Sequence, residues 1–148
     1  MPLTHAPDRT RQIIGLAMRV HTTLGPGLLE SAYERCLCHE FDRSNVPYTR
    51  QVELPLIYDG VHLNQGYRAD LIIGNEVLLE VKAVETILPV HEAQLLTYLR
   101  LSSCAVGLIL NFNTISLKHG IRRRVLRPAS NPFTQPSQSC NPRVTPQA

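Results

Sequence analysis

Apolar residues recur along this chain with two different periods. Near the start, Ile13, Ile14, Ala17, Val20 and Leu24 follow helical spacing behind an N-cap at Asp8 or Thr10, and Gly25-Pro26-Gly27 stops that helix. A second helix from about Leu28 carries Leu29, Ala32, Tyr33, Cys36, Leu37 and Phe41 on one stripe and ends at Asn45-Val46-Pro47. The period then falls to two. Residues 48–58 read as a strand interrupted by Pro55, which argues for an edge position or a bulge, and a turn follows at Asp59-Gly60. Two further strands flank Gly74-Asn75 as a tight hairpin. A third helix is expected over about 90–101, a buried strand over 105–111, and a strand or hairpin over 115–126. This order of elements predicts an α/β sandwich around a mixed sheet, as one domain over residues 8–127. From Pro128 onward Pro, Ser, Gln, Asn and Thr dominate, which predicts a disordered tail over residues 128–148.

The central hairpin poses the main question. On its second strand Val77, Leu79, Val81 and Ala83 share an apolar face, which must be buried. Glu76, Leu78, Glu80 and Lys82 share the other, where charges inside a strand are costly unless paired or used. On the first strand Asp70 shares a face with Arg68 and Ile72, and Tyr67, Ala69, Leu71 and Ile73 share the opposite one. The hairpin therefore brings Asp70 towards Glu80 and Lys82.

Composition narrows the classes. With 43% hydrophobic and 18% charged residues in 148, the chain has the make-up of an ordinary globular protein with enough length for a core. A net charge of +3 tolerates a polyanionic partner without demanding one. Apolar runs fall far short of the ~20 residues that span a bilayer, and no secretion signal is evident, so the expectation is a cytoplasmic protein with no membrane role. Cys36-Leu37-Cys38-His39 lacks the spacing and second ligand pair of a zinc site; its cysteines read as ordinary thiols.

Asp70 with Glu80-Val81-Lys82 has the form D-x(n)-E-x-K. Two carboxylates from adjacent strands, with the main-chain carbonyl of Val81 and waters, can hold a hard divalent cation. Such an ion polarises a phosphate oxygen and acidifies a bound water, and a neighbouring lysine can orient or deprotonate the nucleophile. The plainer alternative is a solvated strand face with one cross-strand ion pair. On the third helix Gln94 and Tyr98 are four apart and share a face, so their polar ends can reach the same site or a phosphate. Glu30 opens the second helix, where its ordinary role is to favour the helix dipole.

Together these segments resemble the GxxExxY protein family. The resemblance rests on G-P-G-L-L-E-S-A-Y, with Gly27, Glu30 and Tyr33, then Y-R-A-D-L-I-I, L-L-E-V-K-A-V, V-H-E-A-Q-L-L-T-Y-L, V-G-L-I-L-N-F and I-R-R-R-V in order, covering residues 11–126. That family is placed in the PD-(D/E)xK nuclease-like superfamily, whose core is a four-stranded mixed sheet flanked by helices (αβββαβ). The resemblance implies Asp70 and Glu80 as metal ligands, Lys82 as the catalytic lysine and Glu30 as a further acidic residue of the metal shell. It matches Gln94 and Tyr98 to the Q-x-x-x-Y motif of the RecB-type branch. Ala69 replaces the proline of the superfamily's name, and Asn113 stands where the family usually has glycine.

The implied function is a Mg²⁺- or Mn²⁺-dependent nuclease that hydrolyses phosphodiester bonds, with DNA as the expected substrate. The alternative is an inactive nuclease-fold module that binds nucleic acid or a protein partner. No separate DNA-reading domain is evident, so sequence choice must come from the core or a partner; a homo-oligomer and an unidentified protein partner both stay open. Arg68 either contacts a phosphate or pairs with Glu80 or Glu76. Arg122, Arg123 and Arg124 form a basic run that is either a solvated edge or a nucleic-acid contact. His91, one turn before Gln94, is read as a cap or surface residue.

Overall fold

The computed structural model describes residues 8–126, so the tail lies outside the described residues. Two helices, α1 (Arg9–Leu24) and α2 (Glu30–Arg43), precede strands β1 (Tyr48–Glu53), β2 (Leu56–Tyr58), β3 (Val61–Leu63), β4 (Arg68–Ile73) and β5 (Val77–Lys82). Helix α3 (Pro89–Leu101), β6 (Val106–Asn111), a 3-10 turn at Leu117–Gly120 and β7 (Ile121–Val125) follow. Asp8 caps α1, its carboxylate accepting the Thr10 N–H at 3.1 Å.

The main sheet has five strands in the order β1-β4-β5-β6-β7, with β5 and β6 parallel and the other pairs antiparallel. The fifth strand is β7, which falls within the strand or hairpin expected over 115–126 and adds to the four-stranded core beside β6. A parallel pair needs a long crossover, and α3 supplies it. Helices α1 and α2 bury Ile13, Ala17, Tyr33, Leu37 and Phe41 against Leu71, Ile73, Val77, Leu79, Val81, Leu108 and Leu110. Helix α3 buries Leu95, Tyr98 and Leu99 against Leu78 and Ile109 on the other face. The result is a mixed α/β fold with helices on both sides of the sheet.

Three local features depart from simple alternation. The stretch 48–58 divides at Pro55: β1 takes the sheet edge, whereas β2 pairs only with β3 in a separate ribbon, closed at its base by the Leu54 N–H on the Tyr67 carbonyl at 2.8 Å. Both faces of β5 are buried, because α3 covers Leu78 and Glu80. The third departure lies in β4. Leu71 and Ile73 face α1 and α2, but Ala69 packs on the α3 side and Tyr67 lies 6.3 Å, ring to ring, from Tyr98. The strand changes sides at Asp70, so the expected grouping of Tyr67 and Ala69 with Leu71 and Ile73 is corrected.

The segment leaving β5 is clamped from β6. The buried Asn111 side chain accepts the Val84 N–H at 3.0 Å and donates to the Val84 carbonyl at 2.9 Å. A side chain at Gly120 would collide with the Asn111 carbonyl, whereas one at Gly15, in the middle of α1, would meet nothing. Gly120→Ala should therefore cost roughly 1–3 kcal/mol by overpacking, and Gly15→Ala should add roughly 0.5–1 kcal/mol by reducing unfolded-state freedom. Urea unfolding midpoints moving in opposite directions would confirm both.

Candidate active site

The turn between α1 and α2 is held by one side chain. The Tyr33 hydroxyl donates to the Gly25 carbonyl and accepts the Leu28 N–H at 3.1 Å, while its ring stacks on Phe112 at 4.5 Å. Gly27 has φ of 108°, open to glycine and hostile to other residues. This fixes where α2 begins and so where Glu30 projects. Its Oε2 accepts the Ala83 N–H, just past β5, at 3.1 Å. The spacing of Gly27, Glu30 and Tyr33 thus has a mechanical reason.

The β4–β5 ladder starts at a turn with positive φ at both Gly74 and Asn75, as a tight hairpin requires. Pairing runs through Ile73–Val77, Ile72–Leu78 and Leu71–Leu79, then stops one step before Asp70 would face Glu80. Side chains take over there. The Asp70 N–H donates to Glu80 Oε2 at 3.0 Å, and the Val81 N–H donates to Asp70 Oδ2 at 2.8 Å. Each carboxylate spends one oxygen on this interlock and keeps its second oxygen for another partner.

The structure therefore gathers Asp70, Glu80, Val81 and Lys82 at one end of the sheet, with Glu30 anchored beside them on Ala83. Tyr98 is buried on α3, close enough for Glu80 and Asp70 to add to the effect of burial in pushing its phenol pKa up. Gln94 is exposed one turn earlier on the same helix. His91 caps α3, its Nδ1 accepting the Leu88 N–H at 2.9 Å. Arg68 is exposed, and Glu76 pairs instead with Arg9 at 3.5 Å. The basic run is split by strand parity: Arg122 and Arg124 both pair with Glu92 on α3, and Arg123 is exposed on the opposite side. It does not form one continuous basic surface.

Three residues near the site carried no role in the sequence reading. Glu34 is buried one turn after Glu30, and it accepts from Arg50 Nε at 2.9 Å and from Gln51 Nε2 at 3.0 and 3.1 Å. Its position four residues after Glu30 was the available signal. Nothing in the sequence marked Arg50 or Gln51.

Burial dominates the electrostatics. It raises the Glu80 pKa, helped by the Asp70 charge and opposed by the Asp70 N–H and Lys82, leaving it pushed up to about 8. Asp70 is raised by burial too, with the Val81 N–H and Lys82 opposing and Glu34 and Glu30 adding. Among the described residues no three His, Cys, Asp or Glu side chains already form a metal-holding cluster. The oxygens present still suit a hard divalent cation, since an ion such as Mg²⁺ usually takes one or two carboxylates, several waters and substrate phosphate rather than an all-protein cage. Asp70 and Glu80, each with one oxygen outside the interlock, could supply such carboxylates, with Glu30 anchored nearby on Ala83.

A family profile described as the PD-(D/E)XK nuclease superfamily matches residues 7–124. A chain matched over that span belongs to that superfamily, whose fold is the mixed sheet with flanking helices seen here. Its nucleases generally use divalent metal ions. Comparison with curated proteins and with solved structures gave no match. Among the described residues no helix is long and apolar enough to cross a membrane.

The raised Glu80 pKa carries a pH signature. Between the ordinary carboxylate value of 4.5 and about 8, the folded protein keeps a proton that the unfolded chain releases. Stability from this group is thus complete below the lower value and lost as pH rises through the upper one. Metal-free protein should melt at progressively lower temperature from pH 5 to pH 8.5, and Glu80→Gln should flatten that decline. Equal slopes for the two proteins in thermal melts would show that Glu80 is not the group responsible.

Proposed function

We propose that this protein is a Mg²⁺- or Mn²⁺-dependent nuclease that hydrolyses phosphodiester bonds in DNA. The observation carrying this reading is the interlock itself. Two carboxylates on neighbouring strands are fixed by main-chain N–H groups, with one oxygen of each left for a ligand and an ammonium group beside them. A structural ion pair would need only Lys82 and one acid; a second buried acid raises the repulsion. Two like charges about 4 Å apart at an effective dielectric near 20 repel by roughly 4 kcal/mol, so the arrangement favours a partner with more than one positive charge.

Asp70, Glu80 and the Val81 carbonyl would hold that cation, with Glu30 contributing from α2. The chemistry supplied by such an ion is polarisation of a phosphoryl oxygen and acidification of a bound water. Lys82 acts on both carboxylates and is the residue to orient the attacking water or steady the phosphate. Tyr98, with Tyr67 against it, lies on the α3 side of the site, near both carboxylates. Gln94, exposed on the same helix, is the residue to meet substrate rather than to shape the metal site. Arg68 and Arg123 are exposed cations for the nucleic-acid backbone, whereas Arg122 and Arg124 must first leave Glu92. Within the superfamily, Gly27-x-x-Glu30-x-x-Tyr33 and Gln94-x-x-x-Tyr98 support a GxxExxY protein of the RecB-type branch. The described free thiols Cys36, Cys38 and Cys104 suit the reducing cytoplasm.

Purified protein should cut linear, circular or single-stranded DNA only with Mg²⁺ or Mn²⁺ present. Asp70→Asn and Glu80→Gln should abolish cleavage and cation binding while leaving the metal-free fold intact, because an amide oxygen can still accept the Val81 or Asp70 N–H. Lys82→Ala should retain cation binding in calorimetry but lose roughly 10²–10³-fold in cleavage rate, the scale seen for a lost charge-stabilising donor. Wild type that binds neither ion, even with DNA present, would overturn the nuclease reading in favour of a non-cutting nucleic-acid or protein-binding module.

A further inference from the structure

Gln51 has φ of 50°, a left-handed backbone that L residues other than glycine adopt rarely. Its place is telling. The β1–β4 ladder pairs Arg50 with Leu71 and Val52 with Ala69, and the one step it omits is Gln51 opposite Asp70. Both strands change faces at this step: in β1, Tyr48 packs with α1 and α2 while Val52 packs on the α3 side, as Leu71 and Ala69 do in β4. On its other side Asp70 also lacks its ladder partner and is held by Glu80 and Val81 instead. Asp70 therefore sits in a strand released from regular pairing on both edges.

One buried group holds the β1 side of that release. The Glu34 carboxylate, 7% exposed, grips the Gln51 amide with both oxygens and takes the Arg50 guanidinium at 2.9 Å. Without that grip, β1 has a route to ordinary extended pairing, which would draw Asp70 back into the ladder. We infer that Glu34 and Gln51 are positioning residues: by fixing the left-handed step in β1, they release Asp70 to cross over and bond the Val81 N–H in its ligand-presenting pose. That Asp70 presents a ligand rests on the function proposed above; the coupling of Gln51 to the Asp70–Val81 bond does not.

The test separates backbone conformation from side-chain contact. Glycine adopts positive φ freely, whereas valine, branched at Cβ, resists it. The Val81 amide proton, followed by NMR in cation-free protein, reports the Asp70 bond directly, with Asp70→Ala defining its loss. Gln51→Val and Glu34→Ala should move this proton towards the Asp70→Ala position, and Gln51→Gly, which loses the grip but still reaches positive φ freely, should move it only part of the way. Titrated with Mn²⁺ alone, Gln51→Val and Glu34→Ala should bind about tenfold or more weakly, the usual cost of a lost outer support. If Glu34→Ala does not fold, the Gln51→Val and Gln51→Gly pair decides, since both leave Glu34 in place. A wild-type Val81 amide in Gln51→Val and Glu34→Ala, with loss only of melting temperature, would overturn the inference and reduce the network to a structural salt bridge. A Val81 amide that moves as expected in a protein that never binds Mn²⁺ would uphold the coupling and sink the metal reading instead.

Discussion

The structure turns on one exchange: at the end of the β4–β5 ladder, two carboxylates do the work of main-chain carbonyls. A buried N–H must be paired, and the N–H groups of Asp70 and Val81 find Glu80 Oε2 and Asp70 Oδ2. That pairing ties the acids to backbone rather than to each other's counter-charge. Their positions are therefore set by the sheet, with the rigidity of the sheet, and not by flexible side chains searching for partners.

This placement carries a cost that the surrounding layers must bear. Glu80 lies under α3 with little exposure, and Asp70 is close enough to raise its pKa further. Lys82 offsets part of the repulsion, but Glu30 and Glu34 approach from α2 and add to it. The site is thus poised at a net negative charge inside a well-packed frame. Such a frame is stabilised by a proton on Glu80, which ties the protein's stability to pH.

The helical layer serves this end of the sheet from a distance. Tyr33 fastens the turn before α2 and, through Phe112, the segment after β6, so the helix that bears Glu30 and Glu34 is registered to the strands it overlies. Asn111 ties the segment after β5 from the neighbouring strand. Several contacts remote from the acids therefore converge on their geometry, which explains why short motifs spread over the chain belong to one site.

Periodicity, turn residues and strand parity were enough to place the three helices, the Gly74-Asn75 hairpin and the nearness of Asp70, Glu80 and Lys82. These depend on neighbours a few residues apart, where chain geometry leaves few choices. Pro55 marked an edge for the same local reason. The division of 48–58 into a sheet strand and a separate ribbon, and the entry of β7 into the main sheet, depend on which strands meet across the molecule. The change of face at Asp70 lies further from local signals. It needs a left-handed Gln51, a residue type with no bias towards that conformation, and the Glu34 carboxylate on a helix 17 residues away in sequence from Gln51. The splitting of Arg122 and Arg124 from Arg123 followed parity, but their capture depended on Glu92 of α3 lying over β7. Local spacing names the acids and the base; packing of helix against sheet sets how they are held and which charges remain free.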